Sequence, residues 1–208
     1  MVADIVQLDA TIDKFLDYAR PDHVTLTPVN LHAVVSSCVY AVQDHRELQI
    51  TMSVPEDLNV LADEVELARV ISNLLENARR YGKAEDTGIT NVDIAAKGRE
   101  NWVLVKLRDH GPGVPPEQLS NLTKPFFRGD SARTAAAGAG LGLSIVDKTV
   151  QRMGGIFALA NSSTGGLVAH LQLQRATDLP EGADPKQRLQ RPSVKRQLPR
   201  RRAEDRMA

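Results

Sequence analysis

The sequence predicts an α/β sandwich in which helices cover one face of a mixed β-sheet. Strand-like segments of alternating apolar and polar residues are mixed along the chain with segments of helical apolar spacing. Neighbouring strand-like segments twice flank a glycine-containing turn, as the strands of β-hairpins do. The 208 residues are 42% hydrophobic and 25% charged, which is ordinary for a globular protein. Such a chain is long enough for one sizeable domain with additional segments.

The first 20 residues predict a helix with a narrow apolar seam. The seam residues, spaced alternately by three and four as in a coiled coil, are Ile5, Leu8, Ile12, Phe15 and Ala19. Pro21 ends this helix, because the residue before a proline disfavours helical geometry. The seam needs an apolar partner, which is another helix of the chain, a second copy or the helix's own domain.

The next part of the chain predicts three short strands and two helices. The first strand is followed by a turn at Pro28, and Asn30 caps the first of these helices. Two strands follow, over residues 48–54 and over the sequence NVLA. Asp63 then caps a long helix over residues 64–80, whose apolar residues recur at helical spacing.

The second half predicts two hairpins, separated by a loop and a helix. Strands near 90–96 and 102–108 are joined by a turn that contains Gly98. A loop rich in glycine and proline follows, with a short helix near 116–121. A helix over 141–153 ends at a pair of glycines. The last two strands, GIFALAN and LVAHLQLQ, flank a second glycine pair.

Charge is unevenly distributed along a chain whose formal net charge is zero. Residues 1–174 carry 16 Lys and Arg against 21 Asp and Glu, whereas residues 175–208 carry 10 against 5. The acidic body gives no reason to expect nucleic-acid binding, and the Pro- and Arg-rich tail predicts disorder. The single cysteine, Cys38, excludes an internal disulfide. No apolar run approaches the roughly 18 residues of a membrane span.

Two amides and a cation share one stripe of the long predicted helix, in the sequence NLLENARRYG. Asn73 and Asn77 are four residues apart and Arg80 is a further three along, so all three lie on one face. Amide oxygens can ligate a hard cation such as Mg²⁺, which also takes phosphate oxygens as ligands. The alternative is that both amides only bond neighbouring backbone groups.

An acidic residue followed by two glycines ends a strand in the sequence LRDHGPGVP. Asp109 at the strand end can accept a hydrogen bond from an exocyclic amine, and Gly111 and Gly113 let a flat ring approach the backbone. Taken alone, the motif favours a simple tight turn. His110 is interpreted as a turn residue rather than as a ligand.

Two further motifs lie between this loop and the next long helix. In KPFFRGD, two aromatic residues could anchor a mobile loop while Arg128 faces phosphate, although Phe126 and Phe127 could equally be core residues. In GAGLGLSIV, glycines free backbone N–H groups to face anions, and the helix that begins near Leu141 adds its positive end.

Taken in order, the four motifs resemble the ATP-binding domain of sensor histidine kinases, within the larger group that includes gyrase, Hsp90 and the MutL proteins. The sequences FFRGDSART, GAGLGLSIV and NARRYG are most similar to the EnvZ-type osmosensor kinases of bacterial two-component systems. The resemblance covers roughly residues 1–174. It implies a Bergerat-type (GHKL) two-layer sandwich of a mixed sheet and helices. One helix of a dimerisation hairpin (1–20) would precede the ATP-binding domain (21–175), and a basic tail (176–208) would follow it.

The resemblance also implies ATP and Mg²⁺ as cofactors and a role for each motif residue. Asn77 would ligate Mg²⁺ with Asn73 beside it, and Arg80 would contact phosphate. Tyr81 would stack on adenine, and Asp109 would bind the adenine amine. The two glycines beneath the ring would be Gly111 and Gly113.

A lid that closes on ATP would supply most of the remaining contacts. The lid and its borders would contribute Lys124, Phe127, Arg128, Gly138, Gly140, Leu141, Gly142 and Leu143 to nucleotide binding. Catalytic roles would fall to Asn73, Asn77 and Arg128.

Transfer of phosphate to another protein is favoured over ATP hydrolysis. Related ATPases carry a general-base glutamate four residues before the metal-binding asparagine, and Asn73 occupies that position here. Glu76 is adjacent to Asn77 and is expected to point about 100° away from it on a helix. The alternatives are a serine kinase of the anti-sigma type, which the N-terminal seam argues against, and a module that uses ATP only to order its lid.

The phosphate acceptor is expected outside this chain. Members of the family are phosphorylated on a histidine followed by an acidic residue, and none of the five histidines has that context. The hairpin helix that carries it is expected to be missing, so the chain is interpreted as a fragment. The implied partners are that hairpin, a response regulator and a second copy in a homodimer. A membrane would be reached only through the missing N-terminal part, as in the cytoplasmic domain of a bacterial inner-membrane protein.

Overall fold

The computed structural model describes Leu16 and residues 23–84, 86–128 and 139–176. The strands of its main sheet are β2 (Leu48–Ser53), β4 (Thr90–Gly98), β5 (Trp102–Asp109), β6 (Ile156–Asn161) and β7 (Leu167–Gln174). Their spatial order is β2-β4-β5-β7-β6. β2 and β4 pair in parallel, and the other neighbours pair antiparallel. The predicted mixed sheet and both predicted hairpins are therefore confirmed.

A second sheet pairs two short strands, β1 (Thr27–Asn30) and β3 (Asn59–Ala62), in antiparallel register. The sequence predicts the strand at NVLA and places the other strand before Pro28, but it does not predict that the two strands pair. The predicted turn at Pro28 is wrong, because Pro28 lies inside β1 opposite Leu61. A proline is tolerated in such an edge strand, where its missing N–H need not contribute to the ladder.

The helices of residues 23–84, 86–128 and 139–176 are α1 (Leu31–Ala41), α2 (Glu64–Tyr81), α3 (Pro116–Leu119) and α4 (Gly142–Arg152). Both predicted N-caps are present. Asn30 Oδ1 accepts a hydrogen bond from the Ala33 N–H at 2.8 Å, and Asp63 Oδ1 accepts one from the Glu66 N–H at 3.2 Å. Such caps stabilise a helix by about 1 kcal/mol each.

The hydrophobic core lies between the helices and one face of the main sheet. Alternate residues of β5 point into it, so Val103, Val105 and Leu107 are buried. The helical side contributes residues such as Leu75 of α2 and Val150 of α4, which belong to the same buried cluster. Burying one such side chain contributes about 1.5–3 kcal/mol to folding. The structure is thus the two-layer sandwich that the sequence predicts.

The end of α2 meets the end of β5 at a contact that only glycines permit. A Cβ atom on Gly82 would lie 2.7 Å from Asp109 Cβ, and one on Gly111 would lie 2.6 Å from the Gly82 α carbon. Real Cβ atoms do not come so close to other heavy atoms. This contact brings the polar stripe of α2 beside the acidic end of β5.

Some predicted segments lie outside the described residues. The predicted N-terminal helix is represented only by Leu16, which is helical and exposed, and the tail beyond Ala176 is not described. Within the described part of the chain, no helix combines the length and apolar character that crossing a bilayer requires.

Candidate functional site

A cavity of about 280 Å³ lies where α2, the end of β5 and the start of α4 converge. It collects residues from all four sequence motifs. The predicted site residues that line it are Asn73, Asn77, Arg80, Tyr81, Asp109, Gly113, Phe127, Arg128, Gly140, Leu141, Gly142 and Leu143. Their ligand contacts stay predictions, but their convergence on one cavity is observed.

The polar stripe of α2 forms one wall of the cavity. Asn73 Nδ2 donates to the Arg69 carbonyl at 3.0 Å, which orients the side-chain amide. A Cβ on Gly142 would lie 3.6 Å from Asn73 Oδ1, so the start of α4 passes directly beside this amide. The side-chain amide of Asn77 is half-buried and makes no hydrogen bond to another described residue. Its oxygen is therefore available to a ligand in the cavity.

Glu76 also lines the cavity, which corrects the expectation that it points away from the stripe. Its carboxylate accepts hydrogen bonds from Arg79 Nε at 2.8 Å and from Arg80 Nε at 2.5 Å. Burial raises the pKa of the Glu76 carboxyl, but the hydrogen bonds from both arginines outweigh burial and lower the pKa to about 2. A carboxylate of such low basicity is a poor general base near neutral pH.

Asp109 is a buried acid at the cavity wall. Its Oδ1 accepts hydrogen bonds from the Gly111 N–H at 3.0 Å and from the Leu167 N–H at 3.1 Å. Burial raises the pKa of Asp109, and these two backbone hydrogen bonds oppose that rise. A buried carboxyl group at a cavity wall is suited to hold a hydrogen-bond donor of a ligand.

Another wall of the cavity comes from the chain segments on either side of residues 129–138. Residues 129–138 themselves, which include the predicted lid residue Gly138, are not described. The Phe126 N–H donates to the Gly140 carbonyl at 3.0 Å, and both residues have positive φ, of 63° and 68° respectively. Phe127 lines the cavity, whereas Phe126 is 60% exposed and so is not a core residue.

The start of α4 forms another wall of the cavity, at Leu141, Gly142 and Leu143. Its N-cap residue, Leu141, makes no side-chain capping hydrogen bond. The first N–H groups of a helix lack partners within the helix, and together with the helix dipole they attract anions. This end of the cavity is therefore suited to phosphate groups.

Of the predicted contact residues that the structure describes, two do not line the cavity. Gly111 is buried against Gly82, and its close approach serves the packing of β5 against α2. Lys124 is exposed, and its backbone belongs to a turn in which its N–H donates to the Asn121 carbonyl. Its long side chain has no described contact with the cavity.

Several residues of the site were not predicted from the sequence. The cavity is also lined by Pro112, Val114, Gln118, Leu122, Ala139 and Leu167. Pro112 and Ala139 are neighbours of predicted residues and could have been included on that ground. Leu167 reaches the site only because β7 pairs with β5, and such a long-range pairing leaves no local signal.

Comparison with known proteins shows the family of the chain. Residues 62–177, more than half of it, match the family described as histidine kinase-, DNA gyrase B-, and HSP90-like ATPases. The chain belongs to this ATPase family. The GHKL fold predicted from the sequence is thereby confirmed, and the matched residues include every cavity-lining residue.

The relatives of this ATPase-family chain include sensor kinases. The histidine-protein kinase BaeS of Escherichia coli K12 is 31% identical over 183 residues, which are 86% of this chain and 37% of BaeS. The solved mycobacterial sensor histidine kinase MprB is 26% identical, with a TM-score of 0.63, over 72% of this chain and 98% of that one. The histidine kinase ThkA, solved in complex with the response regulator TrrA, shares the fold at 23% identity and a TM-score of 0.67, over 84% of this chain and 49% of that one. The chain thus spans little more than a third of the length of BaeS.

Proposed function

We propose that this chain is the ATP-binding catalytic part of a sensor histidine kinase. It transfers the γ-phosphoryl group of Mg-ATP to a histidine on a separate helix, for relay to an aspartate of a response regulator. The observation that carries the proposal is a single cavity that joins Asp109, the amide stripe of α2, Arg128 and the start of α4. The similarity to BaeS and MprB supports it.

The cavity has a base-binding end and a phosphate-binding end. Asp109 accepts the exocyclic amine of adenine, and Tyr81, which is 38% exposed at the rim, stacks on the ring. The phosphates extend toward Arg80, Arg128 and the uncapped start of α4. Cationic side chains and helix N–H groups together compensate the negative charge of a triphosphate.

Mg²⁺ fits the residues of this site. Among the described residues no group of three or more His, Cys, Asp and Glu side chains could hold a metal by itself. Mg²⁺ is commonly bound by one or two protein oxygens together with substrate phosphates and water, and Asn77 would supply such an oxygen here. The bound ion would neutralise phosphate charge during transfer.

The geometry favours transfer to a protein over hydrolysis. Asn73 stands where the related ATPases carry a glutamate, and an amide cannot take a proton from water. Glu76 reaches the cavity, but its carboxylate is held by Arg79 and Arg80 with a pKa of about 2. Neither side chain is therefore suited to activate a water molecule.

The remaining parts of the proposal concern the whole protein. We place the chain with EnvZ-type osmosensor kinases because of the sequences FFRGDSART and NARRYG. Its partners are a phosphoacceptor hairpin, a second copy in a homodimer and a response regulator, in line with the ThkA complex. The protein would belong to a bacterial inner membrane, with this part in the cytoplasm.

Phosphotransfer to a separately supplied acceptor hairpin of a related kinase tests the proposal. The chain is incubated with γ-labelled ATP, Mg²⁺ and the hairpin, and the label is then exposed to acid and to base. We expect slow labelling of the hairpin that is lost in acid and survives base, as phosphohistidine does. The rate should be low, because two separate molecules lack the effective molarity that tethering supplies, which can reach about 10⁵ M or more.

Two other outcomes would contradict the proposal in different ways. An acid-stable label on any protein in the mixture would indicate a serine kinase of the same ATPase family. ATP binding without transfer to acceptor hairpins from several relatives would indicate a module that uses ATP only for ordering.

A further inference from the structure

We propose that Asn161 is a positioning residue for the segment Gly111–Val114, which borders the nucleotide cavity. Asn161 ends β6, belongs to none of the four motifs and does not line the cavity. Its Oδ1 accepts a hydrogen bond from the Val114 N–H at 3.0 Å, and its Nδ2 donates one to the Val114 carbonyl at 2.5 Å. One side chain therefore holds both hydrogen-bonding groups of a cavity-lining residue.

The two bonds need the chemistry of an amide. Among side chains of this length, only asparagine combines an acceptor and a donor on one planar group. The side chain imitates the pairing of a neighbouring strand and fixes the peptide groups on both sides of Val114. Val114 stands 47 residues from Asn161 in the sequence, so the contact joins the loop after β5 to the far edge strand of the sheet.

Gly113 makes room for this contact. Its φ of 75° disfavours other residues, and a Cβ there would lie 2.9 Å from Asn161 Oδ1. The glycine predicted to let a flat ring approach the backbone therefore also allows Asn161 to approach the loop. A side chain at position 113 would displace the Asn161 amide from Val114.

The turn between β6 and β7 connects Asn161 to Asp109. The Leu167 N–H at the end of this turn donates to Asp109 Oδ1, and the Ser162 N–H donates to the Gly166 carbonyl across it. Arg108 holds the outer side of the turn through the Thr164 hydroxyl. This hydrogen-bonded turn thus positions both the base-binding acid and, through Asn161, the loop beside it. This inference rests on the proposed function, because it requires that the loop contact a bound nucleotide.

The test compares Asn161→Asp with Ser162→Ala. Aspartate has the same shape and still accepts from the Val114 N–H, but it places a charged oxygen against the Val114 carbonyl. Ser162 is the adjacent residue, and among the described residues its hydroxyl bonds only within the turn, to Thr164. We expect Asn161→Asp to raise the calorimetric Kd for both ADP and ATP about three- to tenfold, whereas Ser162→Ala leaves both unchanged.

The kinetic signature separates positioning of the nucleotide from a general structural role. In transfer to the acceptor hairpin, Asn161→Asp should raise the KM for ATP and leave kcat within about twofold of the unchanged chain. If Asn161→Asp does not fold, Asn161→Ala is measured in its place with the same expectation. An unchanged Kd in a folded Asn161 variant, or a fall in kcat at constant KM, would overturn the inference alone. If the unchanged chain binds neither ADP nor ATP, the proposed function fails as well.

Discussion

At the scale of the residue, Asp109 carries the base specificity that we propose. Its Oδ1 is occupied by two backbone N–H groups. Asp109→Asn can keep both of those bonds but presents an NH₂ group to the amine of adenine. We expect ATP affinity to fall about tenfold or more, because buried donors would face each other. Calorimetry with ATP and GTP checks this. The unchanged chain should prefer ATP and the variant should not, and equal affinities of the unchanged chain for the two nucleotides would contradict the assignment.

Glu76 gives a pH-dependent prediction at the same scale. Its folded-state pKa, about 2, lies below the ordinary value of 4.5, so the ion pairs with Arg79 and Arg80 stabilise the fold fully above about pH 5. That contribution is lost as the pH falls from there toward 2. Glu76→Gln should therefore cost about 1 kcal/mol at neutral pH, a small value because the group is partly exposed, and less than half of that near pH 3. Urea unfolding at both pH values tests this, and a pH-independent difference would contradict it.

At the scale of the element, sequence patterns predicted those features that depend on residues close together in the chain. Helical spacing placed Asn73, Asn77 and Arg80 on one face, and all three line the cavity. The alternating pattern of β5 also predicted that Asp109 lies at the end of this strand, as the structure shows. The pairing of β1 with β3 and the contact of Asn161 with Val114 were missed. Both join residues far apart in sequence, whose proximity depends on the whole fold.

The turn between β6 and β7 allows an element-scale prediction with a matched control. A Cβ on Gly166 would lie 1.8 Å from the Asp109 carbonyl oxygen, whereas one on the adjacent Gly165 would come no closer than 3.6 Å to the Gly111 carbonyl oxygen. Both glycines have φ near 90°. Gly165→Ala should cost about 1 kcal/mol from backbone strain alone. Gly166→Ala should cost about 3 kcal/mol or more, because β5 and β7 must separate. Chemical denaturation measures both, and equal costs would contradict the predicted role of the contact.

At the scale of the molecule, the site is assembled from parts that are distant in the chain. α2, the end of β5, the segment after residue 138 and the turn before β7 each contribute one wall or support. No one of these parts forms the cavity by itself. The close contacts at Gly82, Gly111 and Gly166 fix their relative positions. The affinity for nucleotide is consequently a property of the folded domain, and stability and binding should be lost together in variants of these glycines.

The C-terminal limit of that domain gives the last prediction. The Arg175 N–H donates to the Asn101 carbonyl at 2.9 Å, and the Ala176 N–H donates to the Asn59 carbonyl at 3.0 Å. These bonds tie the chain after β7 to the β4–β5 turn and to β3. The family match also ends at residue 177. Removal of residues 178–208 should therefore leave the melting temperature and the Kd for ATP unchanged, because that segment lacks apolar periodicity.

A deletion that starts at Arg175 is the matched comparison. It removes both bonds to the body of the domain, and we expect the melting temperature to fall by several degrees, which corresponds to about 1–2 kcal/mol. Calorimetric unfolding of the two truncated chains, with and without ATP, measures the difference. A loss of ATP affinity on removal of residues 178–208 alone would show that the basic segment takes part in binding the triphosphate. In that case the cations of the cavity, Arg80 and Arg128, would not be sufficient for the phosphate-binding role that we give them.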